Sequence, residues 1–246
     1  MAYGAPRTHD LSPATFEKLR QTSTATLTSQ LLKRGFRNVF LGGLQALRPD
    51  LRMVGYAFTL RYAPTREDVG FEVEYDNETN VQRLAVEAIG EDEVLVIDAR
   101  GETRAASFGH ILATRIKNRG AAGLVSDGAL RDTPAFREME FPTYIKAPHA
   151  TTSSVVHYPV DMNVPVGCGG VLVMPGDVVV GDAEGVVVIP ARIAESVAQD
   201  AFEQELLEEF VLSKVRAGSS IKGVYPPDEK TLAEYSEWRR RSGEDS

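Results

Sequence analysis

Apolar positions along the chain change spacing several times, and each spacing predicts a different element. Near the N-terminus the spacing is helical. Ser12 followed by Pro13 supplies a cap and a proline at the first helical position, which predicts a helix over 13–21. Ser23 repeats the hydroxyl cap, Leu27, Leu31 and Leu32 recur at helical intervals, and Gly35 stops a second helix over 23–35. Residues 52–63 alternate and are rich in aromatics, which predicts a strand, and 80–89 returns to helical spacing. Glu93-Val-Leu-Val-Ile-Asp98 is a continuous apolar run, the pattern of a strand buried on both faces. A helix over 110–119 stops at Gly120, and the small, apolar residues 121–126 form a second buried strand that a turn at Asp127-Gly128 ends. Strand, helix and strand from 93 to 126 make a βαβ unit, hence a parallel pair of strands.

Beyond 133 the texture changes to short strands at 141–146, 155–160, 171–174, 177–181 and 186–189, punctuated by glycine and proline. Such tight spacing predicts compact antiparallel or barrel-like structure. The run Gly167-Cys-Gly-Gly170 reads as tight turns, and Asp182 and Glu184 as turn carboxylates. A Glu-rich helix over 191–216 directs Ile193, Val197, Ala201, Leu206, Phe210 and Val211 inward and ends at Gly218. A short amphipathic helix around 230–240 follows, with Trp238 anchoring it to the body or to a neighbouring subunit. Residues 1–10 read as a loose arm. The acidic stretch 64–77, with Glu67, Asp68, Glu72, Glu74 and Asp76, reads as a solvated loop rather than a metal site.

Composition removes several functions. The 246 residues are 43% hydrophobic and 25% charged, the balance of a soluble globular protein. A formal net charge of -8 argues against nucleic acid as the main partner. Cys168 is the single cysteine, so an internal disulfide, a cysteine zinc cage and a CxxC pair are all excluded; it reads as a buried or turn residue, not a nucleophile. No window approaches the ~20 apolar residues of a membrane span and the N-terminus lacks the apolar run of a signal peptide, so a cytoplasmic protein is expected. The glycine-rich run has no Lys-Ser/Thr to touch phosphate, so it is no P-loop.

The candidate chemistry gathers at one sheet edge. Arg131 and Asp132 follow the strand 121–126 directly, at the carboxyl end where open α/β sheets bind ligands. Arginine can hold a carboxylate in a bidentate fork, and aspartate is a hard ligand for a divalent cation. Neighbouring charges on a loop are common, so the dipeptide alone is weak. The βαβ crossover adds to it by delivering Gly109 and His110 to a helix N-terminus, whose free N–H groups favour an anion. A substrate carboxylate is then gripped from two sides.

Gly109, Gly120, Gly123, Asp127-Gly128, Arg131-Asp132 and the segment Pro175-Gly-Asp-Val-Val-Val-Gly-Asp-Ala-Glu-Gly-Val-Val-Val-Ile-Pro190 together resemble the RraA-like family. The resemblance spans roughly 23–216, leaving 1–22 as an N-terminal arm and helix and 217–246 as a C-terminal extension. That family includes divalent-metal pyruvate aldolases acting on 4-hydroxy-4-methyl-2-oxoglutarate and 4-carboxy-4-hydroxy-2-oxoadipate, which also decarboxylate oxaloacetate, and a non-catalytic regulator of ribonuclease E. The resemblance implies an α/β fold, a swivelling β/β/α domain like the phosphohistidine domain, with N-terminal helices and a C-terminal helical extension. It also implies a homotrimer or homohexamer. Arg131 would hold the keto acid, Asp132 would ligate Mg²⁺ or Mn²⁺ largely through waters, and the backbone N–H groups after Gly109, those of Ile111 and Leu112, would bind the carboxylate. Glu208, or Glu209 beside it, would reach a neighbouring subunit's site as a catalytic residue. The aldolases carry Gly-Asp or Gly-Glu, twenty residues, then Arg-Asp; this chain has Gly109-His110, twenty residues, then Arg131-Asp132. His110 is thus the departure, and as a catalytic group it can carry the proton that the acidic residue manages in the aldolases. The reading is a metal-dependent lyase cleaving or decarboxylating a 2-oxo acid through an enolate. Its rivals are a dehydratase or hydrolase of a 3-deoxy-2-oxo sugar acid in the same site, and a regulator-like binding protein.

Overall fold

Two hydroxyl-capped helices open the structure, a computed structural model that describes residues 10–70 and 76–242. The expected arm falls outside the described residues apart from Asp10, as do Glu72 and Glu74. In α1 (Pro13–Gln21) and α2 (Thr24–Lys33) the hydroxyls of Ser12 and Ser23 accept from the N–H groups of Thr15 and Thr26, each at 3.1 Å. Each bond satisfies a donor that a helix start leaves open. The chain continues through β1 (Gln45–Ala46), β2 (Met53–Pro64), the single turn α3 (Glu67–Gly70), α4 (Val81–Ala88) and β3 (Glu93–Asp98). Next come β4 (Ala106–Phe108), α5 (His110–Asn118), β5 (Gly123–Leu130), α6 (Thr133–Glu138) and β6 (Thr143–Pro148). The last part holds β7 (His157–Met162), β8 (Val166–Cys168), β9 (Val171–Val173), β10 (Val178–Gly181), β11 (Val186–Ile189), α7 (Ala194–Arg216) and α8 (Glu229–Ser242).

The result is a mixed α/β fold. The main sheet runs β1-β6-β5-β3-β2-β10-β11, with β4 added beside β5 and β7 beside β2. β2, β3, β5 and β6 are parallel, and β1, β7, β10 and β11 pair antiparallel. β2, expected to alternate, is buried at every position from Met53 to Leu60 because it lies mid-sheet with neighbours on both edges and packing on both faces. Its N-terminal half meets α1, α2 and α7 through Phe16, Leu19, Leu27, Leu31, Val197 and Ala201. On the β3-β5-β6 side, α4, α5 and α6 cover one face with Ala85, Val86, Ala113, Ile116 and Phe136. The sheet curls so that Val94, Val96 and Val125 share a core with Val179, Val186 and Val188. Tyr144 on β6 closes the curl by donating its hydroxyl proton to the Asp182 carbonyl at 3.0 Å.

Several sequence expectations need correction. β6 pairs in parallel with β5, so the region after 133 is not uniformly antiparallel. Val166-Gly-Cys168 is a strand paired with β9, and the tight turn is confined to Gly169 and Gly170, at φ 55° and 79°. Cys168 is buried there and its thiol is pushed well up by desolvation, which suits packing and not nucleophilic attack. Asp182 does more than shape a turn. Its carboxylate accepts from the Thr24 N–H at 2.8 Å and hydroxyl at 2.9 Å, tying the β10-β11 hairpin to the start of α2. Trp238 packs on α7 of its own chain, 5.8 Å from the Phe210 ring. Among the described residues no helix is long and apolar enough to cross a membrane.

Candidate active site

The strand expected to stop at Ser126 continues to Leu130 as β5, and Asp127-Gly128 is a bulge within it. β3 accompanies β5 as far as the Ile97–Ser126 pair; from the Ala106–Ala129 pair onward β4 takes its place. The exchange of partners is held by Asp127. Its buried carboxylate accepts from the N–H groups of Ala99 at 2.7 Å and Gly101 at 3.1 Å, and burial pushes its pKa up. Gly128 is required by close approach: a Cβ there would lie 2.5 Å from the Ala99 Cβ and 2.9 Å from the Glu102 carbonyl oxygen.

The Arg131 N–H donates to the Phe108 carbonyl at 3.2 Å, fixing the start of α5 beside the end of β5. Gly109, the N-cap of α5, has no side chain to cap with, and a Cβ there would sit 3.2 Å from the Asp132 carboxylate. Asp132 caps from outside: its Oδ2 accepts from the His110 N–H at 3.3 Å and from the Arg131 Nε at 3.4 Å. It does so from a left-handed backbone conformation, φ 60° and ψ 30°, at the head of α6. The N–H groups of Ile111 and Leu112 stand in the first turn of α5, where the helix itself supplies no partner.

These groups line a cavity of about 160 Å³. Gly109, Ile111 and Leu112 form one wall with Arg131 and Asp132, and the start of α4 forms another with Asn80, Gln82 and Arg83. Thr152, Ser153, Ser154 and Tyr158 bring hydroxyls, while Ala106, Phe108 and His157 lie among the lining residues from β4 and β7. Tyr62 ties α4 to β4 by accepting from Gln82 Nε2 at 2.6 Å and donating to the Ser107 carbonyl at 2.8 Å. His157 is 2% exposed, and desolvation lowers its pKa. Its Nδ1 faces Arg100 Nη2 at 3.4 Å and its Nε2 the Ala105 carbonyl at 3.3 Å, contacts that suit a neutral ring protonated on Nε2.

Of the residues singled out from sequence, Gly109, Ile111, Leu112, Arg131 and Asp132 come together around this cavity. The His110 ring does not line it: it packs edge-on to Phe136, centroids 6.3 Å apart, with Thr114 Oγ1 3.4 Å from Nε2. Glu208 lines a different cleft within the chain, beside Tyr225 and Pro226, where it accepts from Gln204 at 2.8 Å. Sequence reasoning missed Arg83, Asn80, His157 and the hydroxyl wall. One signal for Arg83 was present: a cation three residues past the Asn80 cap stands at the positive end of the helix dipole, where cations are disfavoured.

A divalent ion implied by the resemblance fits this donor set in one way only. The described residues hold no group of three His, Cys, Asp or Glu that could cage a metal. Asp132 offers a single hard carboxylate at the cavity's edge, 42% exposed, which suits an ion that keeps most of its water shell, as Mg²⁺ and Mn²⁺ do.

The open first turn of α5 and an Arg–Asp pair stand together at the carboxyl edge of parallel strands, the place where α/β sheets bind ligands. Comparison narrows the class. The family model described as RraA-like, Aldolase/RraA, matches residues 24–188, and the chain belongs to the RraA-like family. A Halalkalibacterium halodurans protein provisionally named a 4-hydroxy-4-methyl-2-oxoglutarate aldolase is 39% identical over 117 residues, 48% of this chain and 55% of that protein. Protein DlpA of Legionella pneumophila is 25% identical over 87% of this chain, which spans only 33% of that longer protein. Among solved structures, Streptomyces coelicolor RraAS2, described as an unusual member of the RNase ES inhibitor RraA family, is 32% identical with a TM-score of 0.73. That match covers 82% of this chain and 97% of the other.

Proposed function

We propose that this protein is a divalent-metal-dependent lyase that cleaves or decarboxylates a 2-oxo acid through an enolate. The observation that carries the reading is the convergence of Arg131, Asp132 and the first-turn N–H groups of α5 on one cavity. The Arg131 guanidinium and the N–H groups of Ile111 and Leu112 bind the substrate carboxylate and the oxygen beside it, fixing the 2-oxo acid against the head of α5. Asp132 would hold the ion, which when bound polarises the 2-oxo group and stabilises the negative charge that develops as the adjacent bond breaks. Phe108 and Leu112 give that end of the cavity apolar surface. Because the His110 ring is turned to Phe136 and Thr114, the proton taken up by the enolate is assigned to a water in the cavity rather than to His110.

The hydroxyls of Thr152, Ser153 and Ser154 favour a second reading within the same site, dehydration or hydrolysis of a 3-deoxy-2-oxo sugar acid. Against a purely regulatory role like that of the RraA proteins stands the concave, partly buried setting of the Arg–Asp pair, which a protein-docking surface does not need. The reading carries with it the swivelling β/β/α description of the fold. It also carries a homotrimer or homohexamer in which the α7 carboxylates, Glu208 and the more exposed Glu209, face a neighbour's site. A panel of 2-oxo acids assayed with Mg²⁺ and with EDTA tests the function. Pyruvate release or decarboxylation that chelation abolishes is expected. Metal-independent turnover, or none on any 2-oxo acid, overturns it.

A further inference from the structure

The hydroxyl wall of the cavity is a short loop fastened at both ends to two consecutive residues, Ala105 and Ala106. Between β6 and β7 the chain makes a single 3-10 turn, Ser153–Val155, which the Val156 N–H closes by donating to the Ser153 carbonyl at 3.1 Å. Before the turn, the Thr151 carbonyl accepts from the Ala106 N–H at 2.9 Å. After it, His157 Nε2 stands 3.3 Å from the Ala105 carbonyl. Arg100 completes the second fastening: its Nη2 donates to the Val156 carbonyl at 3.0 Å and to His157 Nδ1 at 3.4 Å. Ser153 and Ser154 line the cavity, and among the described residues their hydroxyls have no partner in the protein. The wall thus offers free hydroxyls to a ligand, and an imidazole holds them in place.

Only the neutral ring fits there. With its proton on Nε2 it donates to Ala105, and the bare Nδ1 accepts from Arg100. A second proton would set a donor against a donor and one cation against another, in a place shut off from water. The surrounding charges do not offset this. On the β3–β4 loop Glu102 is paired with Arg104, whose Nε and Nη2 donate to it at 2.9 and 2.6 Å. On β2 Tyr62 packs its ring 5.3 Å from that of His157, and burial pushes its phenol up, so it stays neutral. On α4 Arg83 adds a cation to the cavity lining; its Nε is buried without a hydrogen-bond partner, and Glu87, one turn on, is taken by Arg115. On β7 Asp161 pairs with Arg61 at 3.3 Å. At the head of the loop His149, a second imidazole, accepts from the Thr151 N–H at 3.1 Å. We propose that His157 is a positioning residue for the cavity: as a neutral ring it fastens the 152–154 loop against the site, and on protonation it lets the loop go, so that ligand is held in neutral solution and released in acid. The ligand is taken from the lyase reading; the fastening does not depend on it.

Hydrogen exchange of the full chain, without ligand, tests the fastening through the two N–H groups it shelters, those of Val156 and Ala106. A freed ring that titrates near about 6.5 takes up one proton, so opening should become about tenfold more favourable between about pH 7.5 and 5.5. Protection of both groups, corrected for the intrinsic exchange rate, should fall by that factor, with the β3 and β5 amides still the more protected as the sign of an intact fold. His157→Gln keeps an acceptor and a donor but does not titrate, so its protection should be equal at the two pH values. Arg100→Leu, at the exposed end of the pair, should already expose Val156 and Ala106 at the higher pH, and it keeps the test open if the glutamine variant does not fold. Calorimetric titration with pyruvate and Mg²⁺ is the second measurement: affinity should weaken about tenfold over the same range in the wild type and stay level in His157→Gln. Wild-type protection indifferent to pH, a change that survives in His157→Gln and so belongs to His149, or pyruvate affinity that holds or rises in acid overturns the proposal. A loop that opens in acid in a protein that neither binds nor turns over any 2-oxo acid defeats the lyase reading and leaves the fastening standing; turnover with a loop indifferent to pH does the reverse.

Discussion

Asp132 has two roles, one local and one chemical, and two substitutions separate them. Replacing it by alanine removes the acceptor that caps the His110 N–H, worth about 0.5–2 kcal/mol for a good cap. The low end of that range applies, because the bond is long, at 3.3 Å. Alanine must also adopt the left-handed conformation, φ 60°, at a cost of roughly 1–2 kcal/mol. The pair with Arg131 adds little, since both side chains are 42% exposed and such bridges contribute about 0–1 kcal/mol. Asp132→Ala should therefore lose about 1.5–3 kcal/mol of unfolding free energy in urea. Asp132→Asn keeps an oxygen acceptor and a residue that tolerates the left-handed region, so it should unfold within about 0.5 kcal/mol of the wild type. Its neutral amide is nevertheless a poor ligand for a hard cation. Turnover on whichever 2-oxo acid the panel identifies should fall by about 10²-fold or more, the scale of losing one preorganised charge at a developing anion. The assay pairs urea unfolding with a Mg²⁺ titration of activity for each variant. An Asn variant that retains Mg²⁺-dependent turnover within about tenfold of the wild type, roughly 1.4 kcal/mol of barrier, removes Asp132 from the metal site. Equal stability of the two variants would refute the capping argument.

Three further outcomes are expected. His157 has its pKa lowered by burial, so the unfolded chain binds its proton more readily than the folded one; stability present above the unfolded value is lost as pH falls below it. Urea midpoints should drop between about pH 7.5 and 5.5, and a drop that His157→Gln leaves unaltered would show another group to be responsible. His110→Asn keeps the backbone N–H whose proton Asp132 accepts and loses the ring's contacts with Phe136 and Thr114, both outside the cavity lining, so its pH–rate profile should match the wild type. Loss of a near-neutral limb together with a decrease of about 10²–10⁴ in kcat would instead return the proton transfer to His110. Ile111, 77% exposed at the cavity wall, should be covered in a homo-oligomer; an active monomer in sedimentation at assay concentration would contradict this.

What could be read in advance was what short range determines. Ser12 and Ser23 announce helix starts because a cap bonds within three residues, and the run from Glu93 to Asp98 announces a buried strand because it carries no polar alternation. Arg131, Asp132 and Gly109 could be joined from the crossover's geometry alone. The misreadings have long-range causes. Asp127-Gly128 has the composition of a turn, but the N–H groups of Ala99 and Gly101, some 26 to 28 residues earlier, make it a bulge. β8 was hidden because its partner is formed across Gly169 and Gly170. The direction of the His110 ring and the missing partner of Arg83 depend on Phe136 and on Arg115 occupying Glu87, neither visible as spacing.

The position of the cavity follows from the same bulge. If β3 stayed beside β5 to its end, α5 could not begin beside Arg131, because the strand itself would fill that edge. Instead the small residue at 128 admits Ala99 and the Glu102 carbonyl, and Asp127 gathers the chain as it leaves β3. β4 enters the vacated edge at Ala129 and ends at Phe108, whose carbonyl takes the Arg131 N–H. The helix start, the guanidinium and the carboxylate then arrive at one level, and Asp132 caps a helix whose own N-cap is a glycine. Gly109 eases the approach, since a Cβ there would press on the Asp132 carboxylate and the Arg131 side chain, each at 3.2 Å. The chemistry proposed for the site thus depends on a buried aspartate that lies outside the cavity lining, which gives Asp127 a reason to be polar and buried at once.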